Sequence, residues 1–293
     1  MTRLLIANPW ASGVDEERLA RVRAALPMGT ELRLTSARRD ATDLARDASG
    51  AVEALYVFGG DGTYNEVLNG IDATTPVGLI PGGGTSVLPR ALGLPRDPVE
   101  AARRLAGSAR PLRIGVGRVN GRRFGFCAGV GLDAEIVRAV DDLGRRSDGR
   151  RPGDFAFAWS GLRTAGRHRY PLGSVLDVAG HGRAAFAVIA NGPTYSYAGP
   201  LPLRFAPQAS FSGGLDLVAP KQVRVRDIPR IARYALGWGD RANARDLVYV
   251  HDADYLEIVC DRPLPMQVDG EDLGDVEQAV FEAEREAVTV LVP

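Results

Sequence analysis

Apolar and polar positions follow two different rhythms along this chain. Over roughly the first 110 residues, short apolar runs at 4–7, 54–58 and 77–80 and the stretch 31–35 predict strands. The run at 54–58 has no polar interruption, which is how a strand buried on both faces reads. Helical spacing fills the intervals. Leu19, Val22 and Leu26 mark one face of a helix that Asp15 can cap, and residues 41–48 predict a second, polar-faced one. After the central run, Val67, Leu68 and Ile71 recur at helical spacing, with Gly70 near the expected stop. Asp97-Pro98-Val99-Glu100 joins a capping Asp, a Pro at the first helical position and a Glu at the third, with Gly107 beyond the expected end. Such alternation predicts a doubly wound parallel sheet with helices on both faces, whose ligands sit at the carboxyl ends of its strands.

From about Arg113 the rhythm shortens. Runs at 113–119, 123–127, 175–178, 184–190, 215–218, 247–250, 255–260, 264–268 and 288–292 are separated by Gly, Pro, Asn and Asp. They predict a mainly antiparallel β-sandwich. The expected division is an α/β domain at 1–111 and a β domain at 112–293, and a chain of 293 residues accommodates both.

Composition narrows the partners. A formal net charge of +0 leaves no overall electrostatic footprint for nucleic acid, so attraction to a membrane must be local. Among the 36 basic residues only Lys221 is a lysine, which assigns phosphate clamping to arginine. Cys127 and Cys260 lack metal-ligand spacing and read as buried thiols in a reducing cytoplasm. No apolar stretch reaches eighteen residues and the N-terminus lacks the h-region of a signal peptide. The expectation is a cytoplasmic protein, at most peripheral to the inner face of a membrane.

Three loops fall at the predicted strand ends: Asn8-Pro9-Trp10-Ala11-Ser12-Gly13, Gly59-Gly60-Asp61-Gly62-Thr63 and Pro81-Gly82-Gly83-Gly84-Thr85-Ser86. A strand, a glycine turn and a helix start bring free backbone N–H groups to one point, a natural seat for phosphate oxygens. Thr63 adds a hydroxyl donor and Asp61 a carboxylate for Mg²⁺ or a nucleotide contact. No P-loop occurs, and no dinucleotide fingerprint follows the first strand.

The full string GGDGTYNEVLNG, residues 59–70, resembles the signature of the diacylglycerol kinase catalytic-domain family of lipid kinases, which includes bacterial diacylglycerol kinases and sphingosine kinases. The shorter GGDGT is shared with NAD kinases and is similar to the phosphofructokinase loop. The N-P-x-x-S-G loop and the Gly84-Thr85 loop leading to Arg90 and Leu92-Gly93-Leu94-Pro95 extend the likeness. It implies a nucleotide domain of NAD kinase/phosphofructokinase type and transfer of the γ-phosphoryl group of ATP, with Mg²⁺, to a lipid hydroxyl, by default that of diacylglycerol. Carried over by position, Asn8, Ser12, Gly13, Thr35, Gly59, Gly60, Asp61, Gly62, Thr63, Asn65 and Thr85 would contact ATP, and Arg90 or another arginine would meet the developing charge. Ser86-Val87 departs from the Asn, often Asn-Asp, that is common after this Gly-Thr, and a serine cannot reproduce the two-ended grip of an amide.

The likeness continues into the second half. Residues 126–134 resemble the family's G-x-G-x-D-A segment, which joins a strand to a helix, and residues 191–217 resemble the actinobacterial branch. Ser212-Gly213-Gly214 stands where relatives often carry Asp-Asp-Gly, so a structural Mg²⁺ held there in some of them is lost or held differently, and Asp216 reads as a polar anchor. In Gln267-Val268-Asp269-Gly270-Glu271, Asp-Gly between strands is a hairpin turn. The resemblance assigns its Glu271 as the base that takes the acceptor's proton, with Asp269 the rival and no histidine adjoining a motif. The basic stretch 141–170, with Arg145, Arg146, Arg150 and Arg151, reads as a solvated loop or as a patch for anionic headgroups. Two other functions stay open, a soluble NAD kinase and a non-catalytic nucleotide- or lipid-binding relative, and so does a homodimer.

Overall fold

The computed structural model describes residues 2–142, 172–236 and 246–293. The chain divides into two compact units: among described residues, the first comprises 2–116 and 285–293, the second 117–284. The sequence placed one division at 111/112. The structure returns the last nine residues to the first unit, because Val290 pairs in parallel with Val77 there.

The first unit alternates strand and helix as expected. Its elements are β1 (Arg3–Ala7), α1 (Glu16–Ala25), β2 (Glu31–Leu34), α2 (Asp40–Ala48), β3 (Ala54–Gly59), α3 (Asp61–Leu68), β4 (Val77–Pro81), α4 (Val87–Ala91) and α5 (Pro98–Gly107). The parallel order is β2-β1-β3-β4. Alternation along the strands feeds both faces: Leu5, Ala7, Tyr56, Phe58 and Ile80 pack with Val22 of α1 and with Val99, Ala102 and Leu105 of α5. α2 and α3 pack on each other and on β1 and β3. All six residues of β3 are buried, the reason its sequence carries no polar position. Asp15 accepts from the amide of Arg18 and Asp97 from that of Glu100, each at 2.8 Å, capping α1 and α5.

Two boundaries differ from the sequence reading. The glycine turn is shorter than expected: β3 runs to Gly59 and α3 begins at Asp61, so Gly62 and Thr63 are already helical. α4 was not foreseen; its five residues include Pro89, and they follow Ser86 in the left-handed region at φ 49°.

In the second unit the elements are β5 (Arg110–Val119, its first residues in the first unit), β6 (Arg122–Phe124), β7 (Cys127–Val130), α6 (Leu132–Asp142), β8 (Leu176–Val178), β9 (Gly182–Ala184), β10 (Ala187–Ala190), β11 (Ser196–Ala198), β12 (Leu201–Leu203), β13 (Leu215–Pro220), α7 (Ile228–Ala235), β14 (Leu247–Ala253), β15 (Tyr255–Val268) and β16 (Glu271–Val292). The sheet order is β14-β13-β10-β7-β15-β16, with antiparallel neighbours throughout. Phe124 and Phe281 meet edge to face at 6.4 Å in its core. The expected runs 255–260 and 264–268 are one strand, whose register shifts between Val259 and Leu264. β16 starts seventeen residues before the expected run at 288, since Asp and Glu line much of its early course. Burial pushes the Cys260 thiol up to about 11, in keeping with an inert buried cysteine. Among the described residues no helix is long and apolar enough to cross a membrane.

Tyr64, 1% exposed, ties the centre of the first unit together: its hydroxyl lies 2.6 Å from the Gly59 carbonyl and 2.7 Å from that of Ile80. Replacing it with Phe leaves two carbonyl oxygens without that donor. Tyr64→Phe is expected to lower unfolding stability by about 1–3 kcal/mol, read from urea denaturation midpoints at unchanged m-value.

Candidate active site

The carboxyl ends of β1, β2, β3 and β4 collect most of the residues singled out in the sequence. Asn8 leaves β1 with its amide on the Phe58 carbonyl at 2.9 Å, and its side-chain Nδ2 donates to Thr63 Oγ1 at 2.9 Å. Gly13 donates to the Gly82 carbonyl at 2.8 Å, and Gly82 to the Gly59 carbonyl at 2.7 Å. Thr35, buried at the end of β2, donates its amide to Ala7 at 3.0 Å. The three loops are therefore one laced assembly. Asn65 lies one turn into α3, fully buried, with its carbonyl accepting from the Asn69 side chain at 2.8 Å. Ser12, half-buried, remains on the first loop.

Glycine is required where these loops meet. A Cβ on Gly83 would lie 2.8 Å from the Gly60 Cα, and one on Gly13 would lie 2.8 Å from the Gly82 carbonyl oxygen. Backbone against backbone leaves no flexible group to yield. Gly84 has open space on its side, so the loop presents bare main chain there. Such a cradle suits an anionic ligand held by N–H groups and a helix start.

Asp61 has a structural use that the sequence did not reveal. Its Oδ1 accepts from the amides of Val87 at 2.8 Å and Leu88 at 3.4 Å. The carboxylate thus caps α4, whose own N-cap residue, Ser86, makes no side-chain cap. Ser86 turns back instead, its Oγ accepting from the Gly83 amide at 3.1 Å. The chain's departure from Asn at this position is thereby used to close the 83–86 turn. Arg90 donates to the Thr85 carbonyl at 3.1 Å, and Arg96, which sequence reasoning missed, to the Gly84 carbonyl at 3.2 Å. Only the basic residue after Leu94-Pro95 could have signalled it.

In the second unit, Asp269 at φ 48° and Gly270 at φ 79° form the expected two-residue hairpin turn between β15 and β16. Three carboxylates flank it and are held differently. Asp269, buried, accepts from the amides of Gly125 at 2.6 Å, Phe126 at 2.9 Å and Cys127 at 3.2 Å. Asp272 takes Arg138 on both oxygens, at 2.8 and 3.0 Å, and its carboxyl lies below the usual range; burial acts against that, and the Arg138 bonds, the Gly274 amide and the arginine's charge together outweigh it. Glu271 accepts from Arg122 on Oε2 at 2.8 Å, and no described residue bonds its Oε1.

A buried network backs the turn. Gln267 donates to Asp133 Oδ2 at 2.8 Å and accepts from the Gly270 amide at 3.0 Å, while the Tyr195 hydroxyl donates to Asp133 Oδ1. Burial pushes the Asp133 carboxyl up, and these two donors work against it. A Cβ on Gly129 would overlap the Asp133 carboxylate, so glycine before α6 makes room for this residue.

At the 210–216 loop, Asp216 is 1% exposed and accepts from the Tyr249 hydroxyl and His251 Nδ1, both at 2.8 Å, and from the Asp252 amide at 3.0 Å. Asp252 in turn accepts from the Gly214 amide at 2.6 Å. Among the described residues no group of three or more His, Cys, Asp or Glu is arranged to hold a metal ion. The arginines 145, 146, 150 and 151, proposed for headgroup contact, lie outside the described residues.

Comparison with known proteins accords with this geometry. Residues 2–117 match the model of the diacylglycerol kinase catalytic domain. A diacylglycerol kinase of Bacillus subtilis is 29% identical over 252 residues, covering 83% of this chain and 79% of that protein. A protein of Chromohalobacter salexigens named a probable lipid kinase, YegS-like, is 33% identical over 184 residues, 58% of this chain and 57% of that protein. The crystal structure of a diacylglycerol kinase from Bacillus anthracis superposes with a TM-score of 0.72 at 21% identity, covering 100% of this chain and 97% of that one. These likenesses bear out the expected fold, an α/β unit with a parallel sheet and a mainly antiparallel β region.

The holding of the three turn carboxylates predicts different costs for their amide substitutions. Asp269→Asn sets an NH₂ against backbone donors and is expected to lose about 1–3 kcal/mol of stability. Glu271→Gln removes one partly exposed ion pair and should stay within about 1 kcal/mol of the parent. Thermal and urea unfolding of the two variants read the difference; equal losses would contradict it.

Proposed function

We propose that this chain, whose residues 2–117 match the catalytic domain of the diacylglycerol kinase family of lipid kinases, transfers the γ-phosphoryl group of ATP to a lipid hydroxyl, that of diacylglycerol first among candidates. The observation that carries the catalytic half is the spare oxygen of Glu271 beside two neighbours whose oxygens are committed to amides or arginine. Phosphoryl transfer asks little covalent chemistry of a protein; it needs alignment, charge neutralisation and a base for the attacking hydroxyl.

In this reading the loops of Asn8, Ser12 and Gly13, of Gly59 to Thr63, and of Gly82 to Thr85 hold the phosphates by main-chain N–H groups. Thr35 and Asn65 shape the same edge. Mg²⁺ fits as a companion of the phosphates, since it favours substrate oxygens plus one or two carboxylates, and Asp61 is the carboxylate of these loops. When bound it would neutralise charge on the transferring group. Arg90 and Arg96, now fixed on the loop carbonyls, keep positive charge at that edge. Glu271 accepts the hydroxyl proton as the oxygen attacks phosphorus. The lipid and its membrane bring the acceptor to the protein's surface.

Two substitutions at Asp61 separate its roles. Asn caps a helix about as well as Asp, so Asp61→Asn should fold normally and lose phosphoryl transfer. Asp61→Ala should lose transfer and also about 0.5–2 kcal/mol of stability. Near-normal turnover by Asp61→Asn would remove the carboxylate from the mechanism.

For Glu271→Gln, turnover is expected to drop about 10²–10⁴-fold while ATP binding survives. The assay is incorporation of labelled γ-phosphate into diacylglycerol, other hydroxylated lipids and NAD. Labelling of NAD alone would replace the lipid reading with a soluble nucleotide kinase, and labelling of none would leave a binding protein.

A further inference from the structure

The partner of Glu271 merits a role of its own. Arg122 Nη2 meets Glu271 Oε2 at 2.8 Å, with side chains 33% and 18% exposed. Both residues are displayed by two-residue turns of the second unit that are fixed without their help. The β5–β6 turn, Asn120 at φ 47° and Gly121 at φ 87°, is pinned to β16. Asn120 Nδ2 donates to the Gln278 carbonyl at 3.1 Å, its Oδ1 accepts from the Val280 amide at 2.9 Å, and its own amide donates to the Val280 carbonyl at 3.1 Å. Arg118 adds a bond to the Gly121 carbonyl at 2.9 Å. The turn carrying Glu271 is fixed by the three amides on Asp269.

The neighbouring arginines show what a structural pairing looks like here. Arg118 and Arg123 converge on the single carboxylate of Glu284, a residue in mid-strand. Arg122, next in sequence to Arg123, instead meets the carboxylate at the very start of β16. A partly exposed pair of this kind adds little to stability, on the order of 0–1 kcal/mol. Its geometric effect is larger. A glutamate on a turn has three side-chain torsions to fix before one lone pair faces a substrate, and a guanidinium on Oε2 removes that freedom while leaving Oε1 for the proton.

We propose that Arg122 is a positioning residue for phosphoryl transfer, orienting Glu271 so that Oε1 receives the acceptor's proton and retaining positive charge beside the base once the proton has arrived. The inference rests on the reading of Glu271 as the base. The balance is simple. The hydroxyl oxygen forms its bond to the γ-phosphorus as the bond from that phosphorus to the bridging oxygen of ADP breaks. The hydroxyl proton moves to Oε1, and ADP leaves with the electron pair. The Arg122–Glu271 pair thereby passes from net neutral to a single positive charge, and the new phosphate monoester carries the matching negative charge away.

The test compares Arg122→Ala, Arg122→Lys, Glu271→Gln and the double variant Arg122→Ala/Glu271→Gln in steady-state kinetics with ATP and dispersed diacylglycerol. Arg122→Ala is expected to lower kcat by about 10–100-fold, the usual effect of a misplaced catalytic group, with KM for ATP unchanged. Free guanidinium at sub-denaturing concentration should restore part of that kcat, and Arg122→Lys should retain part of it; neither rescue acts on Glu271→Gln. Because the arginine acts through the glutamate, the double variant should be no slower than Glu271→Gln alone. A kcat for Arg122→Ala within two- to three-fold of the parent, or losses that multiply in the double variant, would overturn the proposal. If Glu271→Gln alone loses turnover while Arg122→Ala does not, only the role of Arg122 fails. If Glu271→Gln turns over normally, the base assignment fails and this inference with it.

Discussion

The contact on which the first unit's edge depends is main chain against main chain. Gly82 bonds to the Gly59 carbonyl at 2.7 Å, and Gly83 sits so close to Gly60 that one added carbon would collide. Strands β3 and β4 are parallel neighbours, and their following loops must diverge into two helices while keeping buried polar groups satisfied. Only glycine permits the approach, and the approach brings the amides of the next helix onto Asp61. The Tyr64 hydroxyl then ties the two strands from beneath. The same packing leaves chain without side chains facing open space at Gly84, the feature that the proposed phosphate contact would use.

In the second unit the governing problem is where to put carboxylates. Asp269, Asp133 and Asp216 are buried and satisfied by backbone amides, tyrosines, a glutamine and a histidine. A buried carboxylate with a missing donor would be costly, so each is locked into one arrangement. Rigidity of that kind is what would let a more exposed neighbour act in the proposed reaction. Glu271 follows a turn that cannot slip, and its partner Arg122 follows another. The proton-accepting oxygen in the proposed reaction is thus positioned by groups that take no part in it.

Asp61 joins these themes. A carboxylate next to a phosphate site would repel the ligand unless a cation or fixed donors accompany it. Two backbone amides bond Asp61, so it has a structural duty besides the one proposed for it toward nucleotide. Substitutions at such a position change more than one property at once. That is why an isosteric amide and a truncation answer different questions there.

Much of this was legible in the order of residues. The apolar run of β3, the capping signals of Asp15 and Asp97, and the Asp-Gly turn at 269–270 each depend on neighbours in sequence, and each lies where local chemistry placed it. What was not legible depends on partners far away in the chain. Asp61 meets Val87 across 26 positions, Asp269 meets Gly125 across 144, and Arg122 meets Glu271 across 149. The charged early course of β16 conceals a strand that pairing alone reveals, and it is pairing with Val77 that returns the chain's end to the first unit. Sequence by itself determined most of the first unit's elements, the glycine loops and the residue types able to do chemistry. Tertiary structure alone decided which carboxylates are committed and which oxygen remains, because hydrogen-bond satisfaction is a property of groups brought together by folding, and a one-dimensional pattern carries no record of them.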